Sequence, residues 1–204
     1  METRMKLDKK QKIKRIKESI TYNDYKKIIG FVKIDETIRD NSRVNLLRAF
    51  CILYYTGLRV NELQEMRLHN IQDLISTGET KIALPKTSNE RKLFASKDFQ
   101  RELKSLFADE LAITNNNHLR IIAKSSSNAS IQKNAFINKV NSKMREVLGD
   151  GYTSHSFRQG IISEMAAKGV NIKIISKFIA HSDIKTTALY VKPTDDDIKN
   201  AMIR

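Results

Sequence analysis

Cysteine, proline, tryptophan and glycine are scarce in this chain: 204 residues hold one Cys, two Pro, no Trp and seven Gly. So little turn punctuation excludes a sandwich or barrel of many short strands, and the composition is neither collagen-like nor that of a disordered chain. The single cysteine, Cys51, can form no internal disulfide. It sits in the apolar run from Ala49 to Tyr55, where it reads as a small buried hydrophobe rather than a nucleophile. No run approaches the eighteen or so apolar residues of a membrane span, and the first residues are Lys-rich, unlike a signal peptide with an apolar middle. The expectation is a soluble, cytoplasmic protein with no membrane partner. Outside Asp195 to Asp197 there is no acidic cluster, so no metal site is expected and a metal-dependent nuclease is disfavoured.

Positive charge is abundant. Lys and Arg number 37 against 23 Asp and Glu, a formal excess of +14. Residues 1–20 contain eight Lys or Arg and three acids, while residues 191–204 are balanced, so most of the excess lies between them. Each cation that neutralises a phosphate releases a condensed counterion, which points to a polyanionic partner. On charge alone DNA, RNA and an anionic membrane surface stay open.

Hydrophobic spacing predicts a mainly α fold with a small antiparallel β-sheet. Asp8 to Ile20 reads as a basic helix with few apolar anchors, an arm or linker. Thr21 opens a helix with Asp24 three residues on, close to a capping box, and Tyr25, Ile28, Ile29 and Val32 form its buried face. Ser42 to Tyr55 is apolar around most of its circumference and reads as a central helix ending at Thr56-Gly57, with a short second helix beginning near Arg59. Ile71 to Ile75, Thr80 to Leu84 and Lys92 to Ala95 look strand-like, with Lys86 at the start of a hairpin turn after Pro85. Further helices are predicted at Asp98 to Phe107, Ile131 to Leu148, Ser156 to Lys168, Ile172 to Ile179, Ile184 to Tyr190 and Asp195 to Met202.

Two of the four histidines fall in patterned surroundings, His155 in Ser154-His155-Ser156-Phe157-Arg158 and His181 in Ile179-Ala180-His181-Ser182. His155 and Arg158, three apart at a helix start, can share one face and grip an anion. Alone, such a pair reads as a surface or capping pair, and Tyr190 alone reads as a packing aromatic. Together with Thr56-Gly57-Leu58-Arg59-Val60-Asn61-Glu62-Leu63, the hairpin lysine Lys86, Gly169-Val170-Asn171 and Thr186-Thr187-Ala188-Leu189-Tyr190, they make an ordered set. That set, over roughly residues 21 to 192, resembles the catalytic domain of the tyrosine recombinase (phage integrase) family.

The resemblance implies a role for each matched residue. Tyr190 attacks a DNA phosphodiester, leaving a 3′-phosphotyrosine and a free 5′-hydroxyl, so that bond energy is conserved and no cofactor is needed. Arg59 and Arg158 clamp the non-bridging oxygens with planar guanidinium forks. Lys86 protonates the departing 5′-oxygen, although Lys81, Lys92 and Lys97 lie near enough to compete for that role. His155 assists removal of the Tyr190 proton, and His181 donates a hydrogen bond to the phosphate. Glu62 is either a buttress behind the site or an exposed helix carboxylate.

The implied fold is the tyrosine recombinase catalytic domain at 21–192, with a basic arm or linker at 1–20 and a terminal helix at 193–204. That last helix either packs within its own chain or is exchanged between protomers. Double-stranded DNA is the implied partner, with a homo-oligomer, a tetramer on paired sites, as the working assembly. The implied activity is site-specific DNA cleavage and rejoining. A type IB topoisomerase-like relaxase and a catalytically silent DNA-binding regulator are the alternatives. Two positions depart from the family pattern: Gln159 follows the motif arginine where His is common, and Ala180 precedes the last motif histidine where Gly is common. The short basic arm replaces a DNA-clamping domain, or the chain is a catalytic fragment.

Overall fold

The first described helix is opened by two side chains. Thr21 Oγ1 accepts the backbone N–H of Asp24 at 3.2 Å, and Asp24 Oδ2 accepts the N–H of Thr21 at 3.0 Å. This reciprocal cap opens helix α1 (Tyr22–Ile34), whose Tyr25, Ile28 and Val32 are buried at the expected helical spacing. The computed structural model describes residues 18–84, 90–113, 117–124, 128–180 and 184–188, with isolated positions at Asp195, Lys199 and Met202. The basic segment 1–17 and most of the terminal helix expected at 193–204 lie outside the described residues.

Helix α2 (Asp40–Thr56) is the axis of the domain. Leu46, Ala49, Phe50, Cys51, Ile52 and Leu53 are all wholly buried, and the helix packs against α1 and against α3 (Val60–Leu63). It also packs against α5 (Lys97–Leu106) and α8 (Ser154–Ala167). Between these come α4 (Leu68–Ser76) and an antiparallel pair, β1 (Glu79–Ala83) and β2 (Glu90–Phe94), in which Thr80 faces Leu93 and Ile82 faces Arg91. Helices α6 (Ala108–Ala112), α7 (Lys133–Leu148), α9 (Ile172–Phe178) and α10 (Ile184–Ala188) complete the described elements. The result is a mainly helical domain carrying a two-stranded sheet. None of its described helices is long and apolar enough to cross a membrane.

One predicted strand is a helix. Ile71 to Ile75 belongs to α4, where Leu68, Ile71 and Leu74 are buried three residues apart and Asn70 Oδ1 accepts the N–H of Arg67 at 2.9 Å. The i, i+3 spacing that begins at Leu68 overrides the short apolar run. Helix α6, a five-residue turn with no buried residue, has no counterpart among the predicted elements. Between residues 21 and 188 the remaining described limits agree within the few residues by which helix ends ordinarily differ, whereas residues 18–20, the expected end of the basic helix, are not helical, and the rest of that helix and most of Asp195 to Met202 lie outside the described residues.

Two hydrophobic clusters result among the described residues. The larger runs from Ile20 to Phe157 around α2, with Phe50 and Phe157 at 5.9 Å between ring centroids. The smaller consists of Ile162, Ile175 and Ile179, on which Ile161, Met165, Ala166, Val170 and Phe178 pack. Helix α8 spans both. At its middle, Gly160 admits the chain entering α1: a Cβ there would stand 2.4 Å from the Ile20 carbonyl oxygen. Ile20 also donates its N–H to Ser156 O at 3.2 Å, so the start of the domain is pinned across α8.

Candidate active site

Helix α2 ends because Gly57 takes a left-handed conformation, φ 60° and ψ 26°, and returns its N–H to Leu53 O at 2.9 Å. The same glycine permits a close approach by α8. A Cβ at position 57 would lie 2.8 Å from Ile161 Cγ2 and 3.7 Å from the Arg158 Cα. Two residues later Arg59 caps α3, donating its N–H to Glu62 Oε2 at 3.0 Å and its Nη1 to Glu62 Oε1 at 2.6 Å. The Arg59 side chain remains 42% exposed while that of Glu62 is 5% exposed. Glu62 is therefore a buried carboxylate bonded to Arg59, not an exposed one.

Arg158 lies in the second turn of α8, whose start is held by Ser156 Oγ accepting from Thr153 N at 3.0 Å and Asn141 Oδ1 accepting from Ser154 N at 2.8 Å. It is 4% exposed. Its Nη1 donates to Gly57 O at 2.8 Å and its Nη2 donates to Ile179 O. His155, one turn earlier, is exposed. The carbonyls at the ends of α2 and α9 draw the Arg158 guanidinium inward, so these two residues, three apart on α8, differ in burial.

A third arginine, outside the sequence motifs, completes this junction. Arg91 on β2 is 2% exposed and donates from Nη1 to Glu62 Oε2 at 3.1 Å, from Nη2 to Thr56 O at 2.7 Å and from Nε to Phe178 O at 3.0 Å. Its guanidinium carbon also lies 5.6 Å from the Phe178 ring centroid. A sequence signal was present: in Glu90-Arg91-Lys92-Leu93-Phe94 the period of two puts Arg91 on the face of Leu93, the core face. Burial alone would raise the pKa of Glu62, but the N–H and guanidinium of Arg59 and the charge of Arg91 outweigh it and hold the carboxyl below its ordinary value. Burial pulls Arg91 down to about 10 against the opposing pull of Glu62, which leaves it protonated at neutral pH.

Beyond Ile179 the chain turns through Ala180, whose φ of 51° makes it the one described non-glycine residue with positive φ. At this place the family pattern commonly has glycine, and the backbone conformation supplies the reason. The structure thus brings Arg59, Glu62, Arg158 and the turn before position 181 around Gly57. Lys86, in the connection between β1 and β2, and His181 and Tyr190 lie outside the described residues. No group of three or more His, Cys, Asp or Glu able to hold a metal ion occurs among the described residues.

A model of the phage integrase family matches residues 18–197, most of the chain. The chain belongs to the phage integrase family. As a member of that family it is 24% identical over 191 residues to the tyrosine recombinase XerA of Pyrococcus furiosus, an alignment covering 94% of this chain and 63% of that protein. Its fold matches that of the Tn1549 transposon integrase in complex with a circular intermediate DNA, with a TM-score of 0.69 and 16% identity over 96% of this chain and 67% of the other. It also matches a lambda integrase tetramer bound to a Holliday junction, with a TM-score of 0.58 and 17% identity over 87% of this chain and 49% of the other. The chain therefore spans under two thirds of the length of the XerA relative. The shared fold is the tyrosine recombinase catalytic domain, mostly helical with a small antiparallel sheet.

Proposed function

We propose that residues 21–192 form the catalytic domain of a site-specific DNA recombinase that cuts and rejoins double-stranded DNA through a phosphotyrosine. The observation that carries this reading is the junction at Gly57. There Arg59, backed by the buried Glu62, stands two residues from the carbonyl that Arg158 holds. Two guanidinium groups anchored on one turn suit a phosphate whose negative charge grows as a fifth oxygen approaches phosphorus.

In the proposed reaction Tyr190 Oη attacks the phosphorus and the bond to the 5′-oxygen breaks. His155 takes the tyrosine proton and Lys86 supplies a proton to the departing oxygen. Arg59, Arg158 and His181 bind the non-bridging oxygens. The free 5′-hydroxyl of a partner strand then attacks the phosphotyrosine, reversing the roles and restoring Tyr190, so neither metal nor nucleotide is consumed. The +14 charge supports attraction to the duplex and steep weakening of binding as salt rises. Exchange between two duplexes calls for a homo-oligomer, which we propose is a tetramer on paired sites.

The test is covalent trapping in EDTA on nicked suicide duplexes, comparing the chain with Tyr190→Phe. The expected result is a protease-sensitive, retarded band on a denaturing gel with Tyr190 and none with Phe, at similar DNA affinity. A band that persists with Phe, or no band at DNA concentrations that saturate binding, overturns the reading. Exchange of two sites on one plasmid then separates recombination from relaxation.

A further inference from the structure

The ends of α2 and α9 each leave carbonyl groups without helical partners. In this chain two arginines divide four of them as neighbouring pairs. Arg91 takes Thr56 O and Phe178 O, and Arg158 takes Gly57 O and Ile179 O. A cation at a helix C-terminus is also favoured by the helix dipole, and here each guanidinium serves two such ends at once. Arg158 belongs to the family motif, whereas Arg91 belongs to none of the motifs above.

Arg91 makes one further bond, and that bond reaches the site. Its Nη1 holds Glu62 Oε2, the same oxygen that accepts the Arg59 N–H, while Glu62 Oε1 receives Arg59 Nη1. The Glu62 carboxylate is buried, so its orientation is set by these two cations rather than by water. Arg91 also sits on the strand that returns from the connection containing Lys86. One buried guanidinium thus touches the segment leading to Arg59, the carboxylate that orients Arg59, and the turn leading to position 181, and it is itself part of the hairpin.

We propose that Arg91 is a positioning residue that sets the orientation of Arg59 through Glu62 and locks the end of α9 to the end of α2. Only its activity readout rests on the recombinase reading above. A lysine at this place keeps the buried positive charge beside Glu62 but cannot span Glu62, Thr56 O and Phe178 O together, because an ammonium lacks the planar fork. Misplacing a group of this kind by an ångström costs on the order of 10²-fold in rate.

The experiment compares the parent chain with Arg91→Lys and Arg91→Met in three measurements: thermal melting, DNA affinity against the rate of adduct formation, and NMR relaxation of the Arg59 side-chain Nε–H. Arg91→Lys guards against a variant that fails to fold. The expected result for Arg91→Lys is a folded protein binding DNA within about twofold of the parent, with adduct formation slower by roughly 10²-fold and greater mobility of the Arg59 Nε–H. Adduct formation at the parent rate, or an Arg59 Nε–H as ordered as in the parent, overturns the proposal. If the parent itself forms no adduct, the recombinase reading fails, and the Arg59 relaxation still decides whether Arg91 positions it.

Discussion

The cluster around α2 draws on side chains from Ile20 to Phe157, whereas the cluster beneath α9 rests on Ile162, Ile175 and Ile179. Arg59 and Glu62 stand on the first, and the turn through Ala180 stands on the second. Their means of attachment differ accordingly. The larger cluster is held by interlocking aromatic and aliphatic side chains. The smaller is joined to it across α8 and through the carbonyls that Arg91 and Arg158 hold. Apolar burial is non-directional, while a guanidinium bonded to two carbonyls fixes an angle. The difference teaches that in this domain hydrophobic mass supplies stability on one side and polar bonds supply alignment on the other.

Truncation of one side chain in each cluster gives the largest expected effect. Phe50→Ala removes a wholly buried ring at the centre of α2 and is expected to cost about 3–5 kcal/mol of global stability, read as a lowered melting temperature. Ile175→Ala empties an equally buried site, but its loss should fall on the smaller cluster. There hydrogen exchange in α9 and α10 rises and adduct formation drops, while the main melting transition moves less. Equal losses in the main transition would show that the two clusters unfold as one unit and break the comparison.

Gly57→Ala acts on the seam between the two clusters. The left-handed backbone at this position costs an alanine roughly 1–2 kcal/mol, and the new Cβ must also displace Ile161. The expected outcome is a lower melting temperature together with a loss of adduct formation larger than any loss of DNA affinity. Parallel losses in cleavage and binding would remove Gly57 from the positioning of Arg59 and Arg158.

Much of this organisation was legible from residue types at fixed spacings. Thr21 and Asp24 announce a reciprocal cap, Gly57 a left-handed helix end, and the ordered motifs a family. The misses have physical causes. Ile71 to Ile75 is too short an apolar run for its period to separate strand from helix, and Leu68, which decides it, stands outside the run. Glu62 could be read as buried or exposed because its burial depends on Arg91, a partner 29 residues away. Arg91 itself was hidden by its charge, since a strand of Glu, Arg and Lys looks solvated until its alternation is followed to Leu93. The burial of Arg158 depends on carbonyls of α2 and α9 that no local pattern encodes. Lys86, His181 and Tyr190 rest on motif order alone, because they lie outside the described residues.

Ala180→Gly sharpens the comparison with a smaller effect of opposite sign. Relief of positive-φ strain favours glycine by about 1–2 kcal/mol, and the greater freedom of glycine in the unfolded chain returns about 0.4–1 of that. A net gain of roughly 0.5–1 kcal/mol is expected, seen as slower hydrogen exchange in α9 with the large cluster unchanged. Slower exchange throughout α2 as well would mean that the smaller cluster limits the stability of the whole.

The smallest effect concerns acid, and it belongs to the larger cluster. Asp35 ends α1 and accepts from Lys143 Nζ of α7 at 2.8 Å and from Thr37 N and Oγ1 at 3.0 and 2.6 Å. The hydrogen bond from Lys143, with those from Thr37, holds its pKa down at about 2, below the ordinary value of 3.8. A carboxyl whose pKa is lower when folded stabilises the fold fully above the unfolded value. That contribution is lost as pH falls through the window between the two. The parent chain should therefore melt above Lys143→Met at pH 5, and the two melting temperatures should converge as pH falls from about 4 to about 2. Exchange of α9 amides should follow the same course in both proteins, because the ion pair joins α1 to α7 and touches neither Arg91 nor Arg158. A constant gap in melting temperature across that window would show that Lys143 acts through packing on Phe31, over whose ring its Nζ lies at 5.4 Å, rather than through the charge of Asp35.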